Sequence, residues 1–348
     1  MNDPIFIVGN ARSGTTLVSR ILKNHPAIYI LNETHFMEEF SRERKEFDLI
    51  KQHDLWKLIN QMLTIQRKDY YRKAEYEEYP EDAKKIISLF NQQPKSDFAT
   101  LNCIFFEYEA KRCGKVRAGD QTPGHIFFVH ELLEMYPNAK FIHMIRDPRA
   151  ILFSQKRRWK VALRWRLPKF EVMRTFLNYH PVTTSLIWKK AIEAGFKAQQ
   201  NVSKKSMKTL FFERFVENPR RETQEICDFL QIGFFPDMLD VTVEMSSTAI
   251  DEGNKGVCKA VSERWANKLS KTEIFVVENL AGNQMLKLGY NPQRLQPNLF
   301  KLILYFMIWP LQLATVFILN LNRLGNPINY ISKRFFLKSK ASLLNLKC

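Results

Sequence analysis

Residues Ile5 to Leu17 read IFIVGNARSGTTL, and few folds accommodate that string. A short apolar run ending in glycine is a buried-strand candidate, and Leu17, Val18, Ile21 and Leu22 then share one side of a helix. Between them, Gly9-Asn-Ala-Arg-Ser-Gly14-Thr-Thr16 has the spacing of a phosphate-binding loop. Such a turn lines up backbone N–H groups at the positive end of a helix, where an anion is favoured. The nucleoside-triphosphate form of the loop needs a lysine before its last hydroxyl residue. Thr15 stands there instead, so the cation has to come from elsewhere. Arg12 is the obvious source, because its planar fork pairs two oxygens at once.

The rest of the chain repeats this alternation. KFIHMIRDP, from Lys140 to Pro148, contains a second buried strand at Phe141–Ile145, and Thr209–Phe212 makes a third. Helical patterns precede both, at 126–136 and 186–203, and another runs near 217–231 with Pro219 in its first turn. Strands alternating with helices predict an α/β fold: a P-loop-like parallel sheet flanked by helices on both faces. Residues 38–112 are charge-rich with apolar residues at helical spacing, which predicts a helical insert. The expected division is one α/β domain at 1–296, with a further set of helices near 155–200, followed by a separate segment at 297–348.

With 45% hydrophobic residues and 27 Phe among 348, the chain is neither disordered nor fibrous. Its formal charge of +17 points to anionic partners, and that charge is uneven. No Asp or Glu follows Glu278, while nine Lys and Arg do, from Lys287 to Lys347. An odd set of five cysteines without CxxC spacing argues against a disulfide framework or a zinc site and for a reducing compartment. The start MNDP runs straight into a strand, leaving no room for a secretory leader. Together these features suggest a cytoplasmic, bacterial protein.

RSGTT after an N-terminal strand resembles the 5′-phosphosulfate loop of sulfotransferases that use 3′-phosphoadenosine 5′-phosphosulfate (PAPS). That likeness assigns the donor's phosphosulfate end to Arg12, Ser13, Gly14, Thr15 and Thr16. In the family, an Arg at a later strand end and a Ser eight residues on bind the 3′-phosphate. FIHMIRDPRAILFS supplies Arg146 and Ser154 in those places. Arg149, nearby, is expected to be a solvated side chain. Leu31-Asn-Glu33-Thr-His35-Phe-Met37 is similar to the E-x-H-F-F segment of glycan sulfotransferases and the E-T-R segment of tyrosylprotein sulfotransferases. The likeness makes Glu33 the general base toward the acceptor hydroxyl. His35 would orient the acceptor, share the proton or hold the sulfonyl oxygens.

Three weaker likenesses extend this reading. Gly119-Asp-Gln-Thr-Pro123 resembles the family's G-D-K-T-P, with Gln121 where a lysine is common. LFFERFVENP resembles the strand that ends beside the adenine, which places Phe212 there. VSERWANKLS resembles the S-x-R-W segment that closes over the 3′-phosphate, offering Ser262 and Arg264, and the loop with Gly253, Lys255, Gly256 and Lys259 before it would be a lid. The implied reaction is in-line sulfonyl transfer from PAPS to a hydroxyl, with PAP as product. No clustered carboxylates or His/Cys sets suggest a metal.

The segment from Gln155 to Trp188 is expected over the acceptor. It interleaves Arg157, Arg158, Arg164 and Arg166 with Trp159, Trp165, Phe170, Phe176, Tyr179, His180 and Trp188. Leu302–Leu319 carries no charge over 18 residues, near the length of a membrane span. Pro310, Gln312, Thr315 and basic residues on both sides favour an in-plane or re-entrant membrane helix over a crossing. A buried or dimer-forming helix is the third alternative. A lipid, sterol or glycan acceptor at an anionic membrane surface follows, with the enzyme peripheral or monotopic on the inner face, no nucleic acid bound, and the oligomeric state open. Two rivals stand beside this reading: a P-loop kinase or nucleotide hydrolase, and a non-catalytic basic membrane-binding protein.

Overall fold

The computed structural model describes residues 3–49, 51–73, 75–241 and 263–321. Ser262, the expected lid with Gly253, Lys255, Gly256 and Lys259, and the basic tail from Arg323 lie outside the described residues. Among those described, one parallel sheet holds β1 (Ile5–Gly9), β2 (Ile28–Leu31), β3 (Arg117–Asp120), β4 (Lys140–Ile145) and β5 (Met207–Phe211), in the order β2-β3-β1-β4-β5.

β1 is buried on both faces, which explains its unbroken apolar run. Ile5 and Ile7 pack with Val18, Ile21 and Leu22 of α1 (Thr15–Lys23). Phe6 and Val8 point the other way, into the helical insert. That insert contains α2 (Phe36–Glu39), α3 (Ser41–Lys45), α4 (Gln52–Lys68), α5 (Pro80–Asn91) and α6 (Phe98–Arg112). Beyond β3, α7 (Val129–Met135) leads to β4, and then come α8 (Pro148–Lys156), α9 (Arg158–Arg164), α10 (Lys169–Leu177) and α11 (Pro181–Asn201). After β5, α12 (Phe212–Glu217) and α13 (Pro219–Leu230) join the α1 side, and α14 (Lys271–Lys287) packs on α11 and α8. Helices therefore cover both faces, as the alternation predicted.

Two strands, β2 and β3, were not visible in the sequence. β3 reads RAGD, too short and polar to announce itself, and its Gly119 lies so near β1 that a Cβ there would stand 2.5 Å from the Ile5 carbonyl oxygen. The strand expected at Thr209–Phe212 ends at Phe211, and Phe212 opens α12 instead.

α15 (Leu299–Asn320) follows, with none of its residues buried and a mean hydropathy of 2.1 over 18 residues. It leans on α10, α11 and α14. A helix buried in the domain's own core, one half of the third alternative, is therefore not what the fold contains, and the dimer-forming half of that alternative is not touched by this.

His143 on β4 is enclosed beside α11, where a Cβ on Gly195 would stand 2.3 Å from the imidazole ring. Burial pushes its pKa down to about 4. Between that value and the ordinary 6.5 the unfolded chain binds a proton that the native state refuses, so stability falls as pH drops through this window. Going from pH 7 to pH 5 should cost about 2 kcal/mol from this group alone. Urea unfolding of the wild type and His143→Leu at both pH values checks it; equal pH dependence in the two proteins would refute the assignment.

Candidate active site

Every strand delivers a site residue at its carboxyl end. Gly9 leads into the loop at 10–14, Leu31 toward Glu33, Asp120 to Gln121, Ile145 to Arg146 and Phe211 to Phe212. The chain leaves β1 and β4 toward opposite edges of the sheet, so their carboxyl ends frame a crevice at the switch point, where open α/β sheets take ligands.

The loop is shaped by backbone conformations that favour glycine. Gly9 has φ 151° and Gly14 has φ 101°, and Arg12 between them has φ 74°. A Cβ on Gly9 would stand 2.5 Å from the Met144 carbonyl oxygen, and one on Gly14 would stand 2.4 Å from the Phe212 ring. Among the described residues no side chain caps the start of α1, and no acid lies in its first turn, which leaves its positive end to a ligand. The Ser13 hydroxyl is fully buried and has no hydrogen-bond partner among the described residues. An unsatisfied buried hydroxyl costs roughly 1–3 kcal/mol, which an anion's oxygen would offset.

Arg12, Arg146 and Ser154 converge although 142 residues separate the first from the last. Arg12 Nε donates to Ser154 Oγ at 3.0 Å, and Arg146 Nη1 donates to the Arg12 carbonyl at 3.1 Å. Trp188 Nε1 donates to the Arg146 carbonyl at 3.0 Å, and the Arg146 guanidinium lies 4.0 Å above the Phe212 ring. Phe212 is thus the floor beneath Arg146 and the wall against Gly14, with 6% of its surface exposed. Burial lowers the Arg146 pKa, and Glu213 and Asp147 oppose that shift.

Glu33 lies beside the loop. Its Oε2 is 3.2 Å from His35 Nε2, and 32% of its side chain stays open although protein surrounds it. Burial would raise its pKa, but the His35 hydrogen bond and the charges of His35, Arg158 and Arg12 hold the carboxyl below its usual range. His35 takes φ 51° and its ring lies 4.2 Å from that of Tyr70. The Gly119–Pro123 motif supports this segment. Asp120 Oδ2 accepts from the Thr34 and Thr122 hydroxyls at 2.7 and 3.2 Å, and Thr122 Oγ1 accepts from the backbone N–H groups of Thr34 and His35 at 3.1 and 3.3 Å. Gln121 Nε2 donates to Thr15 Oγ1 at 3.1 Å, so the residue in the lysine position still engages the loop.

Several expectations change. Arg149 is not solvated. It is buried, paired with Asp147 at 2.7 Å and Glu278 at 2.9 Å, and stacked on Trp265. Trp188 is a core residue behind Arg146, and His180 is buried against Tyr305, so neither lines an acceptor surface. Arg264 is half-buried in the turn that Trp265 anchors, while Thr16 is exposed at the start of α1. The roles of Asp120, Thr122, Tyr70 and Arg158 were not read from the sequence. The quoted G-D-Q-T-P string was the signal for the first two, and the basic run for Arg158; nothing in the sequence singled out Tyr70. Among the described residues, no group of three or more His, Cys, Asp or Glu gathers as a metal would require.

Comparison with known proteins bears on the family and the fold. Protein-tyrosine sulfotransferase A of Caenorhabditis elegans is 23% identical over 302 residues, covering 84% of this chain and 69% of that protein. The omega-hydroxy-beta-dihydromenaquinone-9 sulfotransferase Stf3 of Mycobacterium tuberculosis is 29% identical over 171 residues, 42% of each chain. An uncharacterized Aquifex aeolicus protein is 24% identical over 280 residues, only 30% of its own length. Among solved structures, the sulfotransferase domain from the curacin biosynthetic pathway superposes with a TM-score of 0.53 at 15% identity, covering 84% of this chain and 99% of that one, which is a likeness of fold. The model described as the sulfotransferase family matches residues 4–237, from β1 through the start of the turn after α13, and the chain belongs to that family.

Proposed function

We propose that the protein transfers the sulfonyl group of PAPS to a hydroxyl of an amphiphilic acceptor, a lipid or sterol before a glycan, at the inner face of a membrane. The convergence of Arg12, Arg146 and Ser154 on one crevice carries this reading, because it joins the loop for the migrating group to a second cation for a second phosphate. In it, residues 12–16 and Arg12 hold the phosphosulfate, and positioning with charge stabilisation supplies most of the rate. Arg146 and Ser154 hold the 3′-phosphate, and Arg264 closes on it. Glu33, kept ionised by its cationic neighbours, takes the acceptor proton, and His35 orients Glu33. The names of the relatives include a tyrosine and a menaquinone acceptor. The apolar surface of α9 and α10, which begins at Arg158 beside Glu33, favours the second kind. Calorimetric titration with 3′,5′-bisphosphoadenosine and with ATP tests the donor: at least tenfold tighter binding of the bisphosphate is expected, and preference for ATP would overturn the reading.

A further inference from the structure

We infer that α9, α10 and α15 form a docking face for an anionic lipid bilayer, with α15 lying in the bilayer plane. This deepens the proposed location of the reaction and is independent of its chemistry.

Two opposite sides of α15 carry the argument. One side is pinned to the domain along its length. Trp309 Nε1 donates to Thr183 Oγ1 at 3.0 Å, Gln312 Nε2 to the Leu177 carbonyl at 2.7 Å, and Asn320 Nδ2 to Asn178 Oδ1 at 3.0 Å. Arg174 Nη1 also reaches Asn320 Oδ1 at 2.6 Å. Half a turn away, Phe300, Met307 and Leu311 are 75%, 73% and 72% exposed, and Ile303 and Ile318 continue the stripe. An apolar stripe of about 30 Å has no business in water unless something covers it. The helix is long enough to cross a bilayer, but crossing it while docked would take the charged α10 into hydrocarbon. Lying flat meets both constraints.

The neighbouring helices extend the same surface. Leu163, Trp165, Phe170, Met173 and Phe176 are exposed on α9, α10 and the turn between them, and α10 touches α15. Lys160, Arg164, Arg166 and Lys169 are exposed among them. The acid of that stretch, Glu171, is occupied by Arg174 at 2.7 Å. This charge selects the occupant. A second copy would bring like charges together, whereas anionic headgroups attract them over a Debye length. The face adjoins the acceptor side through Trp159, whose ring is 6.0 Å from that of Phe176 and which follows Arg158 at the start of α9.

Co-sedimentation of the full chain with phosphatidylcholine vesicles, with and without 30 mol% phosphatidylglycerol, tests the inference without donor or acceptor. At least tenfold stronger partitioning onto the anionic vesicles is expected, and at least tenfold loss in the triple variant Phe300→Glu, Met307→Glu, Leu311→Glu. These side chains are exposed, so thermal unfolding and bisphosphate binding should match the wild type. Cysteines introduced at Leu299 and Leu321 should both react with an impermeant maleimide added outside the vesicles, above the parent protein's labelling. Undiminished binding of the triple variant, equal binding to uncharged vesicles, protection of one helix end, or a lipid-free dimer that the triple variant dissolves would each overturn it.

Discussion

Glu33→Gln should lower kcat by 10²- to 10⁴-fold, about 3–5 kcal/mol of transition-state stabilisation, while leaving affinity for 3′,5′-bisphosphoadenosine intact or slightly improved. The first half follows from removing the base, since a neutral amide of the same shape cannot take the acceptor proton. The second follows from geometry: Glu33 places a negative charge in the field of Arg12, and deleting it frees that cation for the anionic donor. A lost fold would depress both quantities, so the split between them is the diagnostic. The pH profile adds a test of His35. The hydrogen bond and charge from His35 keep Glu33 ionised below the usual carboxylate range, so the acid limb of kcat/KM should lie below that range in the wild type. In His35→Ala the limb should rise toward the ordinary value, because burial then acts with less opposition. Full turnover by Glu33→Gln would remove the residue from the role.

The second large effect concerns donor recognition. Arg146→Ala should weaken binding of 3′,5′-bisphosphoadenosine by about 100-fold and bring it to the level of 5′-AMP, whose own affinity stays unchanged. Arg146→Lys should recover only part of the loss, because an ammonium keeps the charge but neither the fork nor the stacking on Phe212. Arg149 is the control three residues away. Its guanidinium is spent on Asp147, Glu278 and the Asn291 carbonyl. Arg149→Ala should therefore cost about 3–5 kcal/mol of stability by stranding two buried carboxylates, with the bisphosphate-to-AMP ratio preserved in the protein that folds. Isothermal titration of each variant with both nucleotides decides; an Arg146→Ala protein that still prefers the bisphosphate would defeat the assignment.

Those two arginines show where reading the chain residue by residue ran out. RDPR offers two guanidiniums with equal claims on an anion. The resemblance to the family favoured Arg146 at the strand end, and Arg149 was left to solvent because a helix would turn it away. The helix does turn it away, but toward α14 and the Asn291 carbonyl, which lie more than a hundred residues downstream. Trp188 was misread for the same reason: an aromatic in a basic, amphipathic run looks like a ligand wall until β4 is seen to lie behind it.

The short-range features needed no tertiary information. An apolar run, a glycine turn and an amphipathic helix dictate a strand–loop–helix with exposed N–H groups, because hydrogen bonding and the φ values open to glycine leave few other choices. The spacing of β1, β4 and β5 in the chain then dictates a parallel sheet covered on both faces. What only the tertiary structure decided is how distant side chains meet. It set Ser154 against Arg12, Gln121 against Thr15 and Asp120 beneath Thr34. It also decided the fate of the apolar helix, since composition gives hydropathy but not the side on which a helix is already occupied. Pairing across long sequence separation depends on strand order and on burial, and neither is written in any local window of residues.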